Sequence, residues 1–369
     1  MWADGFLARA VRRARAALFA ADAFVRLNVL FYTSMWVLLG AAAAARQPTT
    51  LEFLCLFGVS CCFHVFAYVL NDVVDLPVDR GEPARRHDPL VRGAISRRAA
   101  LLVALVQPVL AIPFAEALGG HAPAYWALAA AFVLIGAYDL WGKRFVFPPL
   151  TDMVQGIGWG SLAIYAALAL DTTPTALSWI VAAYAMVYTM FINGLHGAFR
   201  DLANDLASGA RTTAIVLGAR PLQGSGQRLV PRVLAAYAWA ILATLIVINA
   251  VTLLRNDFGY DPVTMTITAV VVGGLSVWAA ALHPRMLRPR GSADDFAWRL
   301  QMYMMLTALP VAFAAYADAG ILIALLLLNA LGLALWDSTS PVIAWVRGAG
   351  RGRRVAATDS GRPVGIATK

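Results

Sequence analysis

The sequence predicts an all-α polytopic membrane protein, a bundle of nine or ten transmembrane helices with a central cavity capped by cytoplasmic loops. Three observations predict it. Hydrophobic residues make up 60% of the 369 residues, charged residues only 14%, and the mean hydropathy of +0.67 lies above the range of soluble domains. Apolar runs of about 17–25 residues, the length that crosses a hydrocarbon core, recur along the chain. With the N-terminus placed inside, every one of the 30 Lys and Arg residues except Arg46 and Arg255 falls on the cytoplasmic side, an asymmetry that a wrong topology rarely produces.

Taken in order, residues 1–23 form an Arg- and Ala-rich arm whose apolar members (Phe6, Leu7, Val11, Leu18, Phe19) suit a helix lying along the inner leaflet rather than a cleaved leader. Spanning segments follow near 24–46, 50–71, 98–118, 122–141, 150–170, 176–199, 232–254, 263–283, 300–317 and 320–337. Only Asp318, Ala319 and Gly320 separate the last two, and fusing them would carry the basic tail to the outside. External connections are short, whereas 72–97, 200–231 and 284–299 are long internal loops, so the chemistry is expected on the cytoplasmic face. The transmembrane domain is placed at 24–340 and a basic, disordered tail at 341–369, where Arg347, Arg351, Arg353 and Arg354 alternate with Gly.

The net charge of +9 and pI near 9.8 follow the membrane topology, and no basic motif interleaved with aromatics appears. Membrane lipid headgroups and diphosphates are therefore the expected anionic partners, and nucleic acid is not. Cys55, Cys61 and Cys62 share one apolar segment without CxxC spacing and read as packing residues.

Two acidic clusters stand where a helix enters a basic loop: Asn71-Asp72-Val73-Val74-Asp75-Leu76-Pro77-Val78-Asp79 and Arg200-Asp201-Leu202-Ala203-Asn204-Asp205. On a helix turning about 100° per residue, Asp72, Asp75 and Asp79 fall within about 60° of each other and Asp201 and Asp205 within about 40°. Such stripes repel and resist desolvation unless a cation sits among them. All-oxygen ligands favour a hard ion such as Mg2+, which usually arrives with a phosphate.

The first cluster, with Pro89-Leu90-Val91-Arg92-Gly93-Ala94-Ile95-Ser96 after it, resembles the first signature of the UbiA superfamily of intramembrane prenyltransferases. The run from Arg200 through Asp201, Asp205, Gly209, Arg211, Thr212 and Thr213 to Gly218 resembles the second signature, and Tyr138-Asp139-Leu140-Trp141-Gly142-Lys143-Arg144 is similar to the family's Tyr-to-Lys-Arg loop. Arg26 and Asn28 also resemble a polar pair at the start of the family's first helix, though interfacial anchoring explains them equally well. Asp88 departs from the pattern, standing where the family usually carries Arg, so that Arg85, Arg86 or Arg92 would have to replace that anion contact.

The resemblance implies Mg2+-dependent transfer of a prenyl group from a (poly)prenyl diphosphate to a hydrophobic, aromatic acceptor, with release of pyrophosphate. Asp72, Asp75, Asp79, Asp201 and Asp205 would carry the catalytic metal. Asn71, Arg92, Lys143, Arg144, Arg200, Asn204 and Arg211 would hold substrate. Lys143 is one of two lysines in the chain, the other being Lys369, so its place beside Arg144 is not generic loop solubility, although a positive-inside anchor is the plainer reading. Phe63, Phe66, Tyr68, Trp159, Tyr165, Tyr184, Tyr188 and Phe191 are candidates to shield an allylic cation, each alone being an ordinary packing aromatic. His64 and His196 are able to orient an acceptor or take a proton, but a satisfied structural histidine is the plainer reading of each, with a strut to the second motif a further alternative for His196, one turn before Arg200.

Two other functions compete. A terpene cyclase of the same family would ionise the diphosphate and quench the cation with its own double bonds. A transporter or scaffold would place ionisable groups near the bilayer midplane, whereas here they gather at one face. Almost no Lys beside abundant Ala and Arg suggests a GC-rich bacterial genome, and with it a cell inner membrane location.

Overall fold

In a computed structural model, the described residues are 24–81, 85–86, 88–222, 228–288 and 292–336. The expected arm, 1–23, and tail, 341–369, lie outside them. Long helices dominate: α1 Leu30–Ala42, α2 Thr50–Asp79, α3 Arg97–Ala117, α4 Ala122–Trp141, α5 Pro148–Leu168 and α6 Ala176–Phe191. Two short ones, α7 Leu202–Ala207 and α8 Thr213–Val216, precede a two-residue antiparallel ribbon of β1 Arg220–Pro221 and β2 Arg228–Leu229. Then come α9 Arg232–Arg255, α10 Pro262–Met286, α11 Ser292–Phe313 and α12 Ala319–Trp336.

Among the described residues, six helices are long and apolar enough to cross a membrane: Thr50–Asp79, Arg97–Ala117, Ala122–Arg144, Ala176–Arg200, Arg232–Arg255 and Pro262–Met286. The chain is thus an all-α multi-pass membrane protein. Leu30–Ala42 and Ala319–Leu328 are shorter apolar helices. Every residue of α1 from Phe31 to Ala42 is buried, because α2, α5, α6 and α12 surround it. By contrast α3 exposes Leu102, Leu105 and Val109, the pattern of a lipid-facing rim.

Three elements differ from the sequence expectation. The first segment does not run unbroken from 24 to 46, because Arg26 adopts a left-handed conformation (φ 52°, ψ 51°) and a 3-10 turn Leu27–Val29 precedes α1. His64 Nε2 binds the carbonyls of Val25 (2.7 Å) and Arg26 (3.2 Å), which secures the break. The second segment does not stop at 71. It continues through Pro77 to Asp79, so the first acidic motif is helical rather than the opening of a loop. Start signals at the other end are plain: Thr49 and Glu52 form a capping box. Finally, α11 begins at Ser292 rather than near 300, since its polar first turns carry no hydropathy signal.

Close approach of α5 and α6 depends on Gly156 and Gly160, a small-xxx-small pair. A Cβ at Gly156 would stand 2.5 Å from the Met186 carbonyl oxygen, and one at Gly160 would stand 2.8 Å from that of Ala182. These glycines therefore set helix separation and do not line a tunnel.

Candidate active site

Because α2 continues past residue 71, Asp72, Asp75 and Asp79 occupy successive turns of one buried face. Arg26, presented by its left-handed turn, grips Asp72 with Nη2 on Oδ1 and with Nε 3.3 Å from Oδ2. His64, about two turns earlier on α2, holds that turn, its Nδ1 accepting from Thr33 Oγ1 at 2.9 Å while Nε2 donates to the Val25 and Arg26 carbonyls. His64 is structural, and through Arg26 it supports the site.

Lys143 follows α4 in a 3-10 turn, Gly142–Arg144. Its Nζ donates to Asp75 Oδ2 at 2.6 Å and lies 4.0 Å from Asp205 Oδ1. One ammonium group therefore touches both acidic motifs. The second motif's loop is stitched to the same turn by the Arg211 N–H on the Lys143 carbonyl, 2.8 Å. The Asn204 side-chain oxygen also approaches the end of α2, lying 3.9 Å from where a Cβ on Gly81 would be.

Arg85 offsets part of the remaining charge: its Nη1 is 3.2 Å from Asp88, 3.4 Å from Asp72 and 3.8 Å from Asp79. Asp201 is partly exposed and takes a two-pronged contact from Arg200, at 2.8 and 2.7 Å. Burial, the largest single influence, works upward on the Asp201 carboxyl, but the Arg200 hydrogen bonds together with the charges of Arg200, Lys143 and Arg85 outweigh it and leave the group below its usual range. For Asp205 burial wins over the attraction of Lys143, and its carboxyl is pushed up to about 6.

The sequence-derived substrate residues divide. Asn71 faces the cluster from behind, its Nδ2 donating to Asp139 Oδ1 at 3.3 Å. Lys143, Arg200 and Asn204 stand as described, whereas Arg92, Arg144 and Arg211 have exposed side chains. Arg211 reaches only the Val146 carbonyl, at 3.4 Å. Asp139 is buried, with Oδ2 unpartnered, and sequence reading passed it over although it lies one turn before Lys143 in an apolar helix.

His196 is not a strut to the second motif. It sits in a π-helical turn, Ile192–Gly197, stacks on Trp298 at 4.9 Å and has no hydrogen-bond partner on either ring nitrogen among the described residues. The candidate aromatics do assemble. Phe66 and Phe63 each meet Phe132 (5.1 and 5.2 Å), Phe63 meets Trp159 (5.1 Å), and Trp159 meets Tyr32 (4.9 Å). Tyr184 and Tyr188 serve packing, their hydroxyls donating to the Met305 (2.5 Å) and Met302 (3.0 Å) carbonyls of α11.

No three His, Cys, Asp or Glu side chains among the described residues are close enough to enclose a metal ion by themselves. Mg2+ seldom needs that, since it is commonly held by one or two carboxylates together with substrate phosphates. Carboxylates outnumber cations here, they are oxygen donors only, and they face one another from two motifs. The donor set fits Mg2+.

Fold and site together define a helical membrane protein with two facing acidic motifs bridged by a lysine. The model of the UbiA prenyltransferase family matches residues 30–305, and the chain belongs to that family. It is 30% identical over 199 residues to the mitochondrial 4-hydroxybenzoate polyprenyltransferase of Caenorhabditis elegans, covering 52% of each protein. It is 32% identical over 222 residues to the lycopene elongase/hydratase of Haloferax volcanii, covering 54% of this chain and 67% of that one. The chain spans about half the length of several of the curated relatives it matches. Among solved structures, an apo UbiA homolog from Aeropyrum pernix K1 superposes with a TM-score of 0.60 at 16% identity, over 78% of this chain and 97% of that one. A UbiA homolog from Archaeoglobus fulgidus bound to GPP and Mg2+ gives 0.53 at 15% identity, over 86% and 99%. At such identities the likeness concerns the fold.

Proposed function

We propose that the protein transfers a prenyl group from a (poly)prenyl diphosphate to a hydrophobic, aromatic acceptor within the membrane, dependent on Mg2+ and with release of pyrophosphate. The observation that carries this reading is the reach of Lys143 to both Asp75 and Asp205, because a diphosphate clamped between two acidic motifs requires those motifs to share one space. Relatives named as 4-hydroxybenzoate polyprenyltransferases support an aromatic acceptor, and a solved homolog bound to GPP and Mg2+ supports the donor class. The Lys and Arg asymmetry supports a site at the cytoplasmic face of a cell membrane.

Asp72, Asp75, Asp79, Asp201 and Asp205 would hold Mg2+, which supplies charge neutralisation of the diphosphate. Lys143, Arg85 and Arg26 already lie against the carboxylates and can turn to the phosphate oxygens as these enter. Heterolysis of the C1–O bond sends the electron pair to the departing pyrophosphate. The acceptor's π electrons close the new carbon–carbon bond, and a ring proton leaves to water. The edge-to-face rings of Phe63, Phe66, Phe132 and Trp159 offer an environment that excludes water from the allylic cation.

The test is purified protein in detergent, given geranyl, farnesyl and longer prenyl diphosphates with Mg2+, with and without 4-hydroxybenzoate and other quinone precursors. Pyrophosphate release coupled to a prenylated ring is expected. Terpene formed without an acceptor would instead identify a cyclase, and no Mg2+-dependent pyrophosphate release with any donor would end the enzymatic reading.

A further inference from the structure

A small pocket at the end of α2 is lined by Phe24, Asp72, Asp79, Asp88, Leu90 and Val91. Three carboxylates thus share one wall, and Arg85 joins all three through a single nitrogen. Asp88 differs from the other two in how it is carried. Asp72 and Asp79 ride on α2, whereas Asp88 belongs to a tight turn fixed by its own backbone: the Asp88 N–H donates to the Arg85 carbonyl (2.9 Å), the Asp88 carbonyl accepts from Arg92 (3.0 Å), and the Pro89 carbonyl accepts from Ala94 and Ile95 (2.9 and 3.2 Å). Leu90, buried in the core beside it, pins the turn. Asp88 and Arg85 are therefore locally tethered partners at the pocket's edge.

The arrangement has a consequence when a divalent cation takes Asp72 and Asp79. Arg85 then loses two of its three carboxylates, and like-charge repulsion from the ion pushes the guanidinium outward. Only Asp88 remains to hold it. We infer that Asp88 is a positioning residue that retains Arg85 at the mouth of this pocket, aimed at the diphosphate, once metal occupies the acidic face. The inference rests on the proposed donor chemistry. It assigns to Arg85, rather than to the exposed Arg92, the anion contact at this edge, and explains why a carboxylate is useful at a position facing a polyanionic substrate: a tethered guanidinium loses less conformational freedom on binding than a free one.

The experiment compares wild type with Asp88→Asn, Arg85→Ala, the double variant and Asp88→Glu. Readouts are calorimetric binding of a thiolodiphosphate analogue of geranyl diphosphate with Mg2+, Mn2+ binding by spin resonance, and KM and kcat for donors. Asp88→Asn is expected to weaken analogue binding about ten-fold, to raise KM in the same proportion with kcat nearly unchanged, and to leave Mn2+ binding alone. In the Arg85→Ala background it should add nothing, because it acts through Arg85. Asp88→Glu should restore most of the affinity, and Arg85→Lys offers a second background should Arg85→Ala not fold. Losses that add in the double variant, unchanged analogue binding, or weakened Mn2+ binding would each overturn the inference while leaving the enzyme's activity in place. A wild type that neither binds the analogue nor releases pyrophosphate overturns the functional reading itself, and this inference with it.

Discussion

Lys143 stands 2.6 Å from Asp75, joining the turn after α4 to the middle of the acidic face of α2. The pair is partly shielded, with the lysine side chain 33% and the aspartate side chain 12% exposed. Removing the ammonium leaves Asp75 against other carboxylates without an ion-pair partner among the described residues. Lys143→Met is thus expected to destabilise the metal-free protein by about 1–2 kcal/mol, the upper part of the range for a charged hydrogen bond being reduced by solvent screening. Mg2+ should recover most of that loss. Thermal unfolding in detergent with and without Mg2+ measures both, and a variant as stable as wild type without metal would show the pair to be ornamental.

The aspartates divide by what they leave behind. Among the described residues Asp201 forms its ion pair with its exposed neighbour Arg200, so Asp201→Asn should fold like wild type and lose turnover by about 100-fold or more, the scale of a lost metal contact. Asp72→Ala differs: it strands Arg26 and takes from Arg85 one of its three carboxylates, and a drop in stability should accompany the lost activity. The simple expectation that every aspartate removal relieves repulsion therefore fails at Asp72, where the structure has installed counter-charges. Near-normal prenyl transfer by Asp201→Asn would make the second motif structural.

Much of this was legible in the sequence, and the misses share a physical cause. Hydropathy located α3, α4, α5, α9, α10 and α12 to within a few residues because lipid-facing surfaces such as Leu102 and Leu105 leave no ambiguity, and it failed where polar turns extend or break a helix, at the ends of α1 and α2 and the start of α11. Spacing put Asp72, Asp75 and Asp79 on one face before their helix was known to reach Asp79. What spacing could not supply were partners distant in sequence. Arg26 meets Asp72 only because His64 holds a left-handed turn, and Asp139 meets Asn71 only because α4 packs on α2. Gly160 is a local case of the same limit: its own sequence neighbourhood does not name the helix it packs against, which only the α6 backbone beside it reveals.

His64 is predicted to matter without touching substrate. Its two ring nitrogens bond Thr33 and the Val25 and Arg26 carbonyls in a buried setting. His64→Ala should cost about 2–4 kcal/mol, from a lost pair of buried hydrogen bonds and the cavity. It should also weaken donor binding by freeing Arg26. Asn at position 64 can replace one bond and should fall between. Unchanged donor binding in a folded His64→Ala protein would separate the turn from the site.

The raised carboxyl of Asp205 sets a pH window. A group whose folded pKa of about 6 exceeds its ordinary 3.8 favours the protonated state on folding. Its contribution to stability is therefore full below pH about 4 and is lost as pH climbs through about 6. Metal binding runs the other way, since Mg2+ requires the ionised carboxylate. The stabilisation that Mg2+ confers should be large at pH 7.5 and shrink as pH falls below about 6, and Asp205→Asn should weaken that dependence. Unfolding midpoints across pH 5–8 with and without Mg2+ measure it, and an Asp205→Asn protein with the wild-type dependence would show that Asp205 is not a ligand.

Bulky substitution at Gly160 separates two readings of α5. Were Gly160 part of a chain-length gauge, tryptophan there would shorten the accepted donor and leave the fold intact. The geometry says otherwise, because even a methyl group at Gly160 would meet the Ala182 carbonyl oxygen at 2.8 Å, and backbone cannot yield as a side-chain end can. Gly160→Trp is expected to force α5 and α6 apart at a cost of about 3 kcal/mol or more, and Gly156→Leu, against Met186, to do the same. Protein yield and unfolding midpoint in detergent are the measurements. A well-folded Gly160→Trp protein that simply prefers shorter prenyl diphosphates would restore the gauge and show that α6 can move.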